Sequence, residues 1–106
     1  MIMNAKEWLM RANKIDKLIN SVTVAKINRE DRVTYLRELR KHRSEIFRIV
    51  RLIDDYESQC IIIERYINNR KWREISEILN YSTKWVKTKL HQRAVRKVEK
   101  ILNENK

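Results

Sequence analysis

The 106-residue chain contains no glycine and no proline. Without glycine, a turn that needs positive φ must use asparagine, and tight β-hairpins lose the residues that most often build them. Without proline, nothing interrupts a helix from within. Both absences, beside abundant Lys, Arg, Glu, Leu and Ile, predict an all-α protein. A glycine-rich phosphate loop is excluded outright. The single cysteine rules out an intrachain disulfide, and Cys60 lies in the apolar run CIII (residues 60–63), where a small packed hydrophobe is the expected role. A reducing, cytoplasmic setting is expected from this cysteine usage. That run of four residues is the longest in the chain, far short of the roughly 18 needed to span a bilayer, so no membrane partner is expected. The opening MIMNAKEWLM carries Lys6 and Glu7 and lacks a small-residue cleavage site, so it does not read as a signal peptide.

Positive charge is what the chain has in excess. Lys and Arg number 25 against 14 Asp and Glu, a net charge of +11 that suits a polyanionic partner. The length allows one domain, or two small helical units sharing a core.

Five helices are predicted. The first covers about residues 5–20 behind an Asn4 cap, with Trp8, Ala12, Ile15, Ile19 and Val22 at heptad-like spacing. The β-branched stretch 21–27 reads as the connection. Asn28 then caps a long helix to about residue 53, with Glu30 and Asp31 favouring the positive end of its dipole. Leu36, Leu39, Ile46, Val50 and Ile53 form its seam, Val33, Phe47 and Ile49 widen it, and Arg43 falls on it. The two seams can close on each other as an antiparallel hairpin, or on a second copy of the chain as a homodimer. Asp54 and Asp55 mark a break. The third helix, about residues 56–68, is expected to bury Cys60, Ile63 and Ile67 and, being apolar on more than one side, to sit between other elements. The chain thus divides into an N-terminal hairpin (1–53), for dimerisation or partner contact, and a second unit (54–106).

The second unit carries the most specific pattern. Asn68 and Asn69 are placed for a turn. A helix over residues 72–79 follows, with Trp72, Ile75, Ile78 and Leu79 on one stripe. Asn80 and Tyr81 turn the chain, and Ser82 caps a last helix from Thr83 to about Leu102 with Val86, Leu90, Ala94, Val98 and Ile101 inward. From Lys84 to Lys100 this helix has seven Lys and Arg against one acid, Glu99. Two short helices joined by a turn, the second basic, make a helix-turn-helix that fits the major groove of DNA. The candidate DNA-binding residues are Ser82, Thr83, Lys84, Lys87, Thr88 and His91, with Arg73 as a phosphate clamp. Thr and Lys donate to base acceptors, and lysines displace counterions from phosphates. Cations at a helix N-terminus oppose its dipole, so a ligand explains Lys84 and Lys87 better than solvation does. For Arg96, Lys97 and Lys100, a favourable C-terminal dipole is an equally good explanation. Trp72 and Tyr81 are expected in the core, and Trp85 beside it.

Nothing assembles an active site. His42, His91 and Cys60 lack metal-ligand spacing, and the acidic pairs Asp54-Asp55 and Glu30-Asp31 read as helix starts. No catalytic residue, metal or cofactor is expected.

The segment EISEILNYSTKWVKTKLHQRAVRKV (residues 74–98) resembles region 4 of bacterial sigma factors. There a pattern like E-I-A-x-x-L-G-x-S precedes a basic recognition helix ending near R-A-x-x-K. Glu74-Ile75, Leu79, Ser82, Val86, Lys87, Leu90, His91 and Arg93-Ala94 carry the match. Asn80 stands where glycine is usual, and Arg93-Ala94 comes one residue later than in many extracytoplasmic-function sigma factors. The whole chain also resembles small phage-encoded transcriptional regulators of the ArpU type. That likeness rests on Lys6, Trp8-Leu9, Arg11-Ala12 and Ile15-Asp16, on Glu64-Arg65-Tyr66-Ile67, on Trp72 to Ile75, and on Tyr81-Ser82. It implies a regulator of phage or prophage genes that binds promoter DNA, without the polymerase-core-binding regions of a complete sigma factor. Two alternatives stay open. One is a sigma-like protein that occupies RNA polymerase or a host factor; the other is a small terminase-like DNA-packaging subunit.

Overall fold

The computed structural model describes residues 4–104. Residues 1–3 and 105–106, the outer ends of the two units expected from the sequence and the start of the stretch weighed as a signal peptide, lie outside the described residues. Among the described residues the protein is all-α, with five helices and no strand. These are α1 (Ala5–Val24), α2 (Arg29–Arg51), α3 (residues 56–67), α4 (Trp72–Leu79) and α5 (residues 83–104). A π turn closes α3 at Ile63–Ile67, and another lies inside α5 at Val86–Leu90.

Side chains start the helices. The Asn4 carboxamide oxygen accepts from the Lys6 and Glu7 amides, Asn28 from Asp31, Asp55 from Ser58 and Ser82 from Trp85. Each satisfies N–H groups that the first helical turn leaves without a partner. Helix ends are handled without glycine. Arg32 reaches back from α2 to the carbonyls of Val22 and Ala25 at the end of α1. The Gln59 amide nitrogen of α3 donates to Val50, Arg51 and Ile53 carbonyls (3.0–3.4 Å), closing α2. Asn69 and Asn80 are the two residues with positive φ (59° and 62°) among those described, and they turn the chain before and after α4. Asparagine tolerates this conformation better than other side chains because its short amide bonds locally.

α1 runs four residues beyond the predicted end. The Ser21 and Thr23 hydroxyls donate to carbonyls one turn back, and Val22 packs with Leu36 and Leu39, so burial overrides weak helix propensity. α1 and α2 lie antiparallel, with Asp16 3.2 Å from Arg43 across them. Arg43 therefore projects from the seam to an ion pair rather than into the core.

The main core joins Leu9 and Ala12 of α1 and Ile46, Ile49 and Val50 of α2 to Ile61 and Ile62 of α3, Ile75 of α4, and Val86, Leu90, Ala94 and Val98 of α5. Fully burying one such aliphatic side chain contributes about 1.5–3 kcal/mol. The buried face of α3 is formed by Ser58, Ile61 and Ile62, whereas Cys60, Ile63 and Ile67 are only partly buried, which corrects the predicted face by one position. Burial and the Glu64 carboxylate raise the Cys60 thiol pKa. A second, small cluster of Val22, Leu36 and Leu39 holds the far end of α1 and α2, and the molecule is elongated, 48 × 32 × 19 Å. Among the described residues, no helix is long and apolar enough to cross a membrane.

Candidate nucleic-acid interface

Residues 80–82 are all that separates α4 from α5, so local chemistry fixes how the two helices cross. Asn80 adopts the left-handed conformation (φ 62°, ψ 42°), and the Tyr81 amide closes the turn onto the Ser76 carbonyl at 3.1 Å. The buried Ser76 hydroxyl then meets the Thr83 hydroxyl at 3.0 Å, tying α4 to the first residue of α5. Glu74 accepts from the Lys71 amide and steadies the start of α4.

Of the sequence-predicted residues, Lys84, Lys87 and Thr88 share the exposed face of the first two turns of α5, at i, i+3 and i+4 spacing. Ser82 and Thr83 lie at the helix start, where the Ser82 hydroxyl is spent on the cap and the Thr83 hydroxyl on Ser76. The Thr88 hydroxyl donates to the Lys84 carbonyl at 2.6 Å and keeps acceptor capacity. Arg73 is exposed at the start of α4, with Glu77 3.8 Å away. His91 is set apart from these. It is half-buried, its Nε2 is 2.6 Å from the Tyr66 hydroxyl, and Trp72 meets it edge-on at 4.6 Å between centroids. Burial, with the charges of Arg65 and Lys6, lowers its pKa from the ordinary 6.5, so the ring is neutral near pH 7.

The charge of α5 divides along its length. In the C-terminal half, Arg93 reaches Glu57 at 3.1 Å and Asp55 at 3.4 Å, and Lys97 reaches Asp54 at 2.6 Å and also Asp55. For Asp55, burial opposes ionisation, but Lys97 and the Ser58 amide outweigh it and hold the carboxyl at about 2. In the N-terminal half, Lys84, Lys87 and Lys89 are exposed and form no ion pair among the described residues.

Three aromatic or apolar expectations are corrected. Ile78 (51%), Trp85 (48%) and Tyr81 (44%) are exposed on the outside of α4 and α5 instead of packing in or beside the core. The nearby Glu57 carboxylate raises the Tyr81 hydroxyl pKa. The π turn of α5 follows these positions and sets the inward face of the helix beyond them. The inward residues Val86, Leu90 and Ala94 recur every four residues, and a regular helix drifts about 40° per such step. A π turn takes one extra residue and absorbs the drift. The four-residue spacing was the signal in the sequence, but an amphipathic reading at 3.6 residues per turn conceals it.

The sequence also gave no hint of a cleft beside this face. Its volume is about 640 Å³, and it opens between α1, the end of α3 and α5. Lys17, Arg65 and Lys87 line it with Asn13, Tyr66 and His91, and no carboxylate does. Arg65 lies 4.5 Å over the Trp72 ring, a cation–π contact that holds the guanidinium at the rim. No family model, curated protein or solved structure matches the chain.

Proposed function

We propose that the protein is a cytoplasmic, sequence-specific duplex-DNA-binding regulator of transcription, of phage or prophage origin, that reads the major groove with the N-terminal half of α5. The observation that carries this reading is the division of charge along α5. Arg93 and Lys97 are neutralised against the start of α3, while Lys84, Lys87 and Lys89 are left unpaired at the end of the helix where the dipole disfavours cations. A phosphate offsets that cost, and release of its counterions drives binding. In this reading α4 and α5 form the helix-turn-helix, Lys84, Lys87 and Thr88 meet base edges and phosphates, and Arg73 clamps the backbone. Ser82 and Thr83 set the start of the reading helix, and His91 fixes its angle against Tyr66 and Trp72. The likeness to region 4 of sigma factors gains support from the π turn, which takes one extra residue between Ser82 and Arg93-Ala94, the offset noted in the sequence.

Replacing Lys87 and Thr88 together with alanine tests the reading. Duplex affinity should fall and sequence preference relax, with helicity unchanged; wild-type affinity in the double variant contradicts it.

The exposed Ile78, Tyr81 and Trp85 favour a second reading, in which this face meets RNA polymerase or a host factor. Loss of polymerase capture on Trp85→Ala, with DNA affinity intact, would support it. An apolar groove beside Trp8, Ile15, Leu18 and Ile46 on the N-terminal helices suits a homodimer. Sedimentation tests this, since a ring would favour a DNA-packaging subunit and a dimer a regulator with two half-sites.

A further inference from the structure

We propose that the cleft between α1, α3 and α5 binds a phosphate of the DNA backbone, so that Lys17 of α1 and Arg65 of α3 belong to the DNA interface together with Lys87. This rests on the DNA-binding reading of α5 and extends it to an element that the sequence assigned only to dimerisation or partner contact.

Four observations converge on the cleft. The first is its charge. Three cations line it, and although the chain has 14 Asp and Glu, none of them does. Like charges gathered without an acid repel one another, and an anion between them removes the penalty.

The second is continuity. Lys87 lines the cleft and also lies on the exposed face of α5, one turn from Lys84 and beside Thr88, so a strand running past that face reaches the cleft mouth. A free anion would need no such alignment.

The third is rigidity. Both π turns contribute to its walls, Ile63–Ile67 with Arg65 and Tyr66, and Val86–Leu90 with Lys87. The Tyr66–His91 hydrogen bond at 2.6 Å fastens the two together. π turns are uncommon and concentrate at functional positions.

The fourth is an unspent polar group. Asn13 lines the cleft, and its Oδ1 is buried without a hydrogen-bond partner among the described residues. Rotating the amide exchanges that oxygen for a donor nitrogen, and phosphate oxygens accept from such donors. Arg65 is preorganised by its contact with Trp72, and Lys17, on the exposed side of α1, completes the cradle.

The test is fluorescence anisotropy with the full chain, over a salt series, on duplex from the gene's flanking region and on a scrambled duplex. Lys17→Ala is compared with Lys17→Arg and with Lys14→Ala, which removes the same charge from α1 beside the apolar groove rather than the cleft. Lys14 lies one turn from Lys17 on α1 and does not line the cleft, so it controls for loss of the same charge without the contact. Lys17→Ala should weaken both duplexes alike, by roughly tenfold, and reduce the log–log salt slope by about 1, with unchanged sequence preference. Lys17→Arg should keep the slope, and Lys14→Ala should leave both quantities near wild type.

Equal effects of Lys17→Ala and Lys14→Ala, or an unchanged slope in both while the wild type binds, overturn the phosphate contact and leave the α5 reading standing. No duplex binding by the wild type overturns both. A second arm follows the His91 ring resonance, with His91→Gln giving its assignment against His42. Duplex should move it. Saturation by millimolar inorganic phosphate at fixed ionic strength, with no movement on duplex, would mean that the cleft takes a free anion and would overturn the backbone assignment.

Discussion

The Tyr66 hydroxyl and Nε2 of His91, 25 residues apart in sequence, are hydrogen bonded at 2.6 Å, joining the π turn of α3 to the residue that follows the π turn of α5. This contact sets the height of α5 against α3 and so the presentation of Lys84 and Lys87. It also makes stability depend on pH. Burial, Arg65 and Lys6 lower the His91 pKa below its ordinary 6.5, so the unfolded chain takes up the proton more readily than the folded one. The contribution is therefore complete above about pH 6.5 and is lost as pH falls through the lowered value. Urea midpoints should drop between about pH 7.5 and about pH 5.5, and His91→Gln should flatten that drop. Tyr66→Phe, which leaves the imidazole unpaired, should cost about 1–3 kcal/mol at neutral pH. A pH-independent midpoint in this window would contradict the assignment of a neutral His91.

Asp55 has two roles that substitution can separate. It caps α3 through the Ser58 amide at 2.7 Å, and it pairs with Arg93 and Lys97 of α5. Asp55→Ala removes both and should destabilise by about 1–2 kcal/mol, mostly through the cap. Asp55→Asn keeps a capping side chain and should cost distinctly less. With its carboxyl at about 2, below the ordinary 3.8, the charged form contributes above about pH 3.8 and is lost as pH falls toward 2. Acid unfolding should accordingly begin at higher pH in the Ala variant. Equal losses in the two variants at neutral pH would show that the cap contributes little.

Asn80 carries the turn between α4 and α5 at φ 62°. Asn80→Ala should cost about 1 kcal/mol, because a Cβ without a local hydrogen bond is disfavoured there, while Asn80→Gly should be neutral or stabilising. Thermal melts check both. An alanine variant as stable as wild type would mean that the turn relaxes away from the left-handed conformation.

Helix starts were legible in the sequence because their chemistry is local. Asn4, Asn28, Asp55 and Ser82 each cap within three residues, and Asn69 and Asn80 replace the absent glycines at the two positive-φ turns. The all-α class followed from the same composition. What escaped depends on neighbours far along the chain. The α1 stripe was drawn through Trp8 and not Leu9, yet Leu9 is fully buried and Trp8 only partly, because α1 packs against α3 and α5 as well as α2. Ile78 was expected on the inward stripe of α4 and Trp85 beside the core, but among the described residues both are exposed. Lys84, Lys87 and Thr88 could be picked out by position on a helix, whereas the cleft joins Lys17, Arg65 and Lys87 from three helices far apart along the chain.

DNA reading by α5 is tested by anisotropy of labelled duplex from the gene's own flanking region beside a scrambled duplex of equal length. A reading helix should prefer the flanking duplex by roughly 1,000-fold or more, with affinity to both falling as salt rises. Equal and weak binding to both duplexes, or none to either at low salt, would contradict it.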